Sequence, residues 1–217
     1  MSKLIVIVGI TGKQGGSVAR RFLLDPTYYI RGLTRNVSSS AALAFASQGI
    51  EIVSANLDSL SELTAAFAGA NLIFSMTDYW EPFWRPDCRQ KAAEAGVSCR
   101  KFAYDVEFQQ GKNIADAAAE TVESLAENGF IASTLSHAGK CSGGRFDQLN
   151  HFDAKADIFP EYVRSKHAKL AAKMSCVQTG YFMIRYAFAP SMYCSTVSTD
   201  LHATIWLIGL LLGCEVP

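Results

Sequence analysis

Glycines at positions 9, 12 and 15, within Gly9-Ile10-Thr11-Gly12-Lys13-Gln14-Gly15-Gly16, have the spacing of a phosphate cradle. The first permits a tight turn, and the second lets bare backbone approach a pyrophosphate. The third lets a helix pack closely on the strand before it, with the free N–H groups of that helix facing the anion. The pattern is G-x-x-G-x-x-G rather than G-x-G-x-x-G, so its context in the chain decides its meaning. About 20 residues beyond such a loop, an NAD-preferring site offers Asp or Glu to the ribose 2′-hydroxyl. Here that region reads Leu33-Thr34-Arg35-Asn36. A guanidinium at Arg35 suits a 2′-phosphate through charge-assisted bonds, and Lys13 adds a second cation, which predicts NADP(H) ahead of NAD(H).

Proton chemistry beside a nicotinamide commonly uses Tyr-x-x-x-Lys, because the i, i+4 spacing puts the phenol and the ammonium on one helix face. Two segments compete for that role: His151-Phe-Asp-Ala-Lys155, with His in place of Tyr, and Tyr162-Val-Arg-Ser-Lys166, which has both residues. Equivalent side chains would lie about 16 Å apart in an unbroken helix, so only one segment serves a single nicotinamide. The first is favoured because it follows a predicted strand and a Gly/Ser-rich loop. His151 is either a proton donor near neutrality or a structural hydrogen-bond partner. Ser133 and Thr134, at a predicted strand end, are weaker candidates for orienting a substrate carbonyl, and no catalytic acid is assigned. Cys88, Cys99, Cys141, Cys176, Cys194 and Cys214 are scattered without metal-ligand spacing, so ordinary thiols are expected and no metal site is predicted.

These residues need a frame, and the chain supplies alternating elements. The aliphatic run 3–8 reads as a strand buried on both faces, the glycines follow at once, and 17–24 reads as a helix. Strands at 29–34, 50–54 and 71–76 alternate with helices at 41–47 and 59–67. Beyond an aromatic loop, helices are predicted at 89–95 and 109–125 and a strand at 130–135, and 153–166 reads as helical with a break near Pro160. Such βα alternation predicts an α/β fold, a Rossmann-like doubly wound parallel sheet, in one domain. Residues 1–150 would be mainly cofactor-binding, and 151–217 a partial substrate lobe with an apolar tail.

The 217 residues are 49% hydrophobic and 18% charged, which excludes a disordered chain, and the 20 basic residues balance the 20 acidic ones. That balance gives no reason to expect nucleic acid or an anionic membrane as partner. The start has no basic, apolar and cleavage regions of a secretory signal, so a cytoplasmic location is expected, with the nucleus as a second compartment. The apolar run 203–214 is short of the roughly 20 residues of a membrane span, so burial or a subunit contact is expected there.

Several segments together resemble the NmrA-like family of atypical short-chain dehydrogenase/reductases: VGITGKQGGSV, GLTRN, ANLDSLSEL, MTDYWEPF, QQGKNIADAA, SGGRF then HFDAK, and KMSCVQTGYFM. The resemblance implies that Gly9, Ile10, Thr11, Gly12, Lys13, Gln14 and Gly15 cradle the pyrophosphate and that Arg35 takes the 2′-phosphate. Asn56 and Leu57 would flank the adenine, with Thr77, Asp78 and Tyr79 along the nicotinamide ribose. Lys112 and Lys155 would approach the nicotinamide, and Gly180, Tyr181 and Phe182 would close over it. It further implies an NADP(H)-dependent oxidoreductase acting on a carbonyl, enone or quinone of a small aromatic or polyketide-type metabolite, as in secondary metabolism. The alternative is a non-catalytic NADP(H)-binding redox sensor acting through a protein partner. A homodimer is the other partner expectation. Family members continue well past the region of Tyr186, so a shortened C-terminal substrate lobe is expected.

Overall fold

The run Lys-Leu-Ile-Val-Ile-Val forms β1 (Lys3–Val8), whose last four residues are buried. The computed structural model describes residues 2–180. Side chains alternate across a strand, so Ile5 and Ile7 enter one core while Val6 and Val8 enter another on the opposite face. Burial on both faces is what a continuous aliphatic strand requires, and it places β1 centrally in a parallel sheet.

The chain then alternates through α1 (Lys13–Phe22), β2 (Tyr28–Thr34), α2 (Ser40–Ala46), β3 (Glu51–Ser54), α3 (Leu60–Phe67) and β4 (Leu72–Ser75). Two short helices, α4 (Trp80–Phe83) and α5 (Cys88–Glu94), lead into the long α6 (Cys99–Glu120) and β5 (Phe130–Thr134). After α7 (Ala138–Cys141) and α8 (Asn150–Ala156), a kinked segment spans Asp157–Tyr162. Then come α9 (Val163–Lys166), α10 (Ala168–Ala171) and β6 (Met174–Gln178). All strand pairs are parallel, in the order β3-β2-β1-β4-β5-β6. The chain's direction of travel across the sheet reverses between β1 and β4, and ligands of such sheets bind in the crevice beyond the strand ends at that point. The doubly wound parallel sheet read from the sequence is therefore the observed architecture.

One core, with Leu63 and Phe67 of α3 and Ile114 and Ala118 of α6, covers the Val6 and Val8 face. The other, with Ala19 of α1 and Phe45 of α2, covers the Ile5 and Ile7 face. Serine side chains cap three helices: Ser39 accepts from the Ala42 N–H, Ser59 from that of Glu62 and Ser98 from that of Lys101.

Three departures from the sequence reading stand out. Helix α1 begins at Lys13 rather than 17, so Gly15 and Gly16, poor helix formers, lie inside it. Helix α6 begins ten residues before the predicted 109, at the Ser98 cap, through a stretch to which the sequence reading assigns no element. Strand β6 was not expected, because an edge strand with its last three residues exposed leaves no apolar run. The expected break near Pro160 is present: Phe159 departs from helical geometry at φ −121° and ψ 101°. No helix among the described residues is long and apolar enough to cross a membrane.

Candidate functional site

The glycine loop joins β1 to α1 at the reversal point. Gly9 adopts φ +68°, a conformation that favours glycine, and its carbonyl accepts the Gly12 N–H at 2.9 Å. A Cβ at Gly15 would overlap that same Gly9 carbonyl, so only glycine lets α1 pack this closely on the end of β1. Gly12 is the N-cap of α1 and supplies no side-chain cap, and no acidic residue occupies the first turn. The opening N–H groups of this ten-residue helix therefore carry the positive end of its dipole without an internal anion.

A cleft of about 380 Å³ opens above the loop. Of the sequence-predicted residues, Gly9, Thr11, Gly12, Arg35, Asn56, Leu57 and Asp78 line it. Ile10 is fully buried beneath, its N–H donating to the Leu33 carbonyl at 3.2 Å. Lys13 opens α1, and the Gln14 carboxamide oxygen accepts from Ser133 Oγ at 2.8 Å, tying the loop to the end of β5.

At the β2 end of the cleft, Arg35 Nη1 donates to Glu81 Oε1 at 2.9 Å, and Arg85 holds Glu81 Oε2 through Nη2 at 2.7 Å. The Arg85 hydrogen bond and then that of Arg35 hold the Glu81 carboxyl below its usual range against the opposing effect of burial. At the end of β3, Asn56 N–H donates to Glu62 Oε2 at 2.9 Å. From α6, Asn113 Nδ2 donates to the Leu57 carbonyl at 2.8 Å and Gln110 Nε2 to Asp58 Oδ1 at 2.9 Å, which fixes this wall.

The β4 end holds a buried polar cluster. Thr77 Oγ1 donates to Glu107 Oε1 at 2.6 Å. Lys155 Nζ donates to the Thr77 carbonyl at 2.8 Å, to Thr77 Oγ1 at 3.1 Å and to Glu107 Oε1, which engages all three ammonium donors. Glu107 is fully buried, and its Oε2 has no hydrogen-bond partner among the described residues. Lys155 thus reaches the cleft wall through Thr77, one residue from Asp78. His151, one turn earlier on α8, lies against Trp80 at 5.0 Å and Tyr79 at 5.7 Å. Burial, then the Lys155 charge, lowers its pKa from 6.5, so it is neutral at pH 7.

Other expected residues do not line the cleft. Tyr79 is buried with its hydroxyl donating to the Arg100 carbonyl at 3.1 Å, and burial pushes the phenol up to about 12. Lys112 Nζ lies 5.4 Å over the Tyr162 ring, and Tyr162 donates to Asp116 at 2.8 Å. Burial and the Asp116 carboxylate hold that phenol up at about 12. Of the two Tyr/His-x-x-x-Lys segments, it is therefore the Lys155 one that meets the end of β4. Ser133 and Thr134 have committed hydroxyls, the latter donating to the Phe159 carbonyl at 2.6 Å. Gly180 ends the described chain, and Tyr181, Phe182 and the apolar tail lie outside it.

Glu81, Gln110 and Glu107 were missed by sequence reasoning. The signal for the last two was a polar residue on an otherwise apolar helix face, at positions 103, 107, 110, 114 and 118 of α6. No group of metal-ligating side chains occurs among the described residues.

Comparison with known proteins gives a consistent picture. The profile of the NmrA-like family matches residues 1–206. The NmrA-like family domain-containing oxidoreductase FrzB of Cladobotryum sp is 36% identical over 119 residues, 55% of this chain and 31% of that protein. The oxidoreductase ptmS of Penicillium ochrochloron is 29% identical over 189 residues, 86% of this chain and 49% of its own. This chain thus spans about a third to a half of those relatives. Among solved structures, the negative transcriptional regulator NmrA aligns with TM-score 0.61 at 19% identity, over 84% of this chain and 47% of its own. The NADPH-dependent quinone oxidoreductase QOR2 of Escherichia coli, crystallised with NADPH, aligns with TM-score 0.55 at 18% identity, over 87% of this chain and 53% of its own.

Proposed function

The chain belongs to the NmrA-like family, and from that premise we propose that its cleft binds NADP(H) and serves hydride transfer to or from a carbonyl, enone or quinone of a small aromatic or polyketide-type molecule. The observation that carries the reading is the uncapped start of α1 opening, together with Arg35, onto one cleft at the sheet's reversal point. The Gly9, Gly12 and Gly15 backbone fits a pyrophosphate, because a Cβ at Gly15 would overlap the turn itself. Arg35 would take the 2′-phosphate, with Asn56 and Leu57 beside the adenine. NADP(H), when bound, supplies or accepts the hydride. Residues 1–150 would hold the cofactor, with the substrate lobe drawn from 151–217.

Within this reading, the chain's own residues position and polarise. Glu107 and Thr77 fix Lys155 as an immobile positive charge at the end of β4, where it favours negative charge building on a substrate oxygen. The Tyr79 and Trp80 rings beside His151, with Phe83 packed on both, offer an apolar wall to an aromatic substrate. Neutral His151 can donate an N–H bond but holds no ready proton at pH 7.

The second reading, a redox sensor without turnover that acts through a protein partner, draws on a separate observation. The donors of Lys155 are all engaged, and the Tyr162 hydroxyl is tied to Asp116. Calorimetric titration with NADPH and NADH tests the cofactor step. Arg35→Ala should weaken NADPH by about 10- to 100-fold, the value of charge-assisted bonds to phosphate, and leave NADH nearly unchanged. Oxidation of NADPH by a quinone or enone then separates enzyme from sensor. Failure of both nucleotides to bind would end the proposal.

A further inference from the structure

Glu81 has no place in the sequence motif of the cofactor loop, yet it lines the same cleft as Arg35 and bonds it across 46 residues of chain. Its two arginines hold it unequally. Arg85 grips both carboxylate oxygens, with Nε at 3.3 Å and 3.2 Å and Nη2 at 2.7 Å, and its side chain is only 28% exposed. Arg35 makes one bond to Glu81, and its side chain is 62% exposed. An arriving dianion would therefore draw Arg35 away and leave Glu81 on Arg85. The end of β2 offers no acidic side chain for a ribose 2′-hydroxyl, since Thr34, Arg35 and Asn36 stand there. The other acidic residue lining the cleft, Asp78, already accepts the Trp80 N–H at 3.0 Å.

We propose that Glu81 determines nucleotide preference: it competes with a 2′-phosphate for Arg35, and it accepts the hydrogen bond of a free 2′-hydroxyl. The proposal rests on the reading of the cleft as a dinucleotide site. Glu81 then sets the balance from outside the β2 end, on the short helix α4. A nucleotide with a 2′-phosphate must exchange a carboxylate for itself at Arg35 and tolerate that carboxylate nearby. One without the phosphate finds an acceptor held ready by Arg85. Both effects push the ratio of affinities in the same direction, toward NAD(H), against the pull of Arg35.

The test is calorimetric binding of NADPH, NADH, ADP-ribose and 2′-phospho-ADP-ribose to the full chain, wild type and Glu81→Gln. The amide keeps the size and loses the charge. We expect NADPH and 2′-phospho-ADP-ribose to tighten about fivefold or more, as loss of a half-buried like charge allows. NADH and ADP-ribose should weaken, and the gain should vanish in Arg35→Ala/Glu81→Gln. Arg85→Gln, which leaves Glu81 to Arg35 alone, should shift preference the opposite way, and it reads the same switch if Glu81→Gln folds poorly. Binding by the wild type with an unmoved affinity ratio in these variants would overturn this inference alone. Binding of no nucleotide by the wild type would overturn the cofactor reading and this inference with it.

Discussion

Replacing Glu107 by Gln should cost stability out of proportion to the single atom changed. The carboxylate is fully buried and shares one oxygen between Thr77 and Lys155. Removing one partner of a buried ion pair costs about 3–5 kcal/mol, mostly by stranding the other charge. Lys155 is 17% exposed and keeps its two bonds to Thr77, so Glu107→Gln should fall near the lower end, about 3 kcal/mol. For a chain of this size that corresponds to a fall in Tm of about 6–12 °C. Lys155→Met strands a charge with no exposure at all and should cost more, about 5 kcal/mol. The double variant strands nothing, so it should cost less than Lys155→Met alone, which requires a coupling above about 3 kcal/mol in the double-mutant cycle. Urea unfolding of the four proteins measures this. Single effects below about 1 kcal/mol that simply add would refute the picture of a charge-coupled pair at the end of β4.

Gly15→Ala should destabilise the chain by about 1–3 kcal/mol, because the new methyl meets backbone that cannot rotate away; nucleotide affinity should fall with it, as seen by calorimetry. His151 adds an acid sensitivity. Its folded pKa lies below 6.5 through burial and the Lys155 charge, so the unfolded chain takes up the proton first as pH falls. Stability is therefore lost from about pH 7 down to the folded value, and His151→Phe should flatten the Tm profile between about pH 7.5 and 5. A variant as acid-sensitive as the wild type would show that the ring is freely hydrated.

What the sequence disclosed was governed by short-range rules. A short continuous aliphatic run ended by a glycine turn reads as a strand buried on both faces, and the glycines behind it sit where the turn and the helix approach leave no room for a side chain. The doubly wound sheet followed from such alternation, and Arg35 was found because the end of β2 lies at a fixed distance along the chain. Glu81 escaped because its partner is distant in sequence and nothing local marks an acid on α4 as facing β2. Glu107 escaped because the helix was predicted only from 109, so the periodicity that places residue 107 inside was never applied to it. Strand β6 depends on the edge of β5 for its existence and carries little apolar signal of its own.

Helix α6 touches both ends of the cleft. Gln110 and Asn113 brace the loop after β3, Glu107 fixes Thr77 after β4, and Gly111 lies against Ile158 where a side chain would not fit. The stretch of this 22-residue helix from Glu107 to Asn113, about 9 Å of rigid rod, therefore acts as a gauge bar between the two subsites. Span and orientation are set together by helical pitch, and neither end can be retuned alone. A single residue inserted between 107 and 110 would turn one end by about 100° against the other and dismantle one of the two walls. Substitutions in the loops beyond the strands, by contrast, leave the spacing between the two walls untouched.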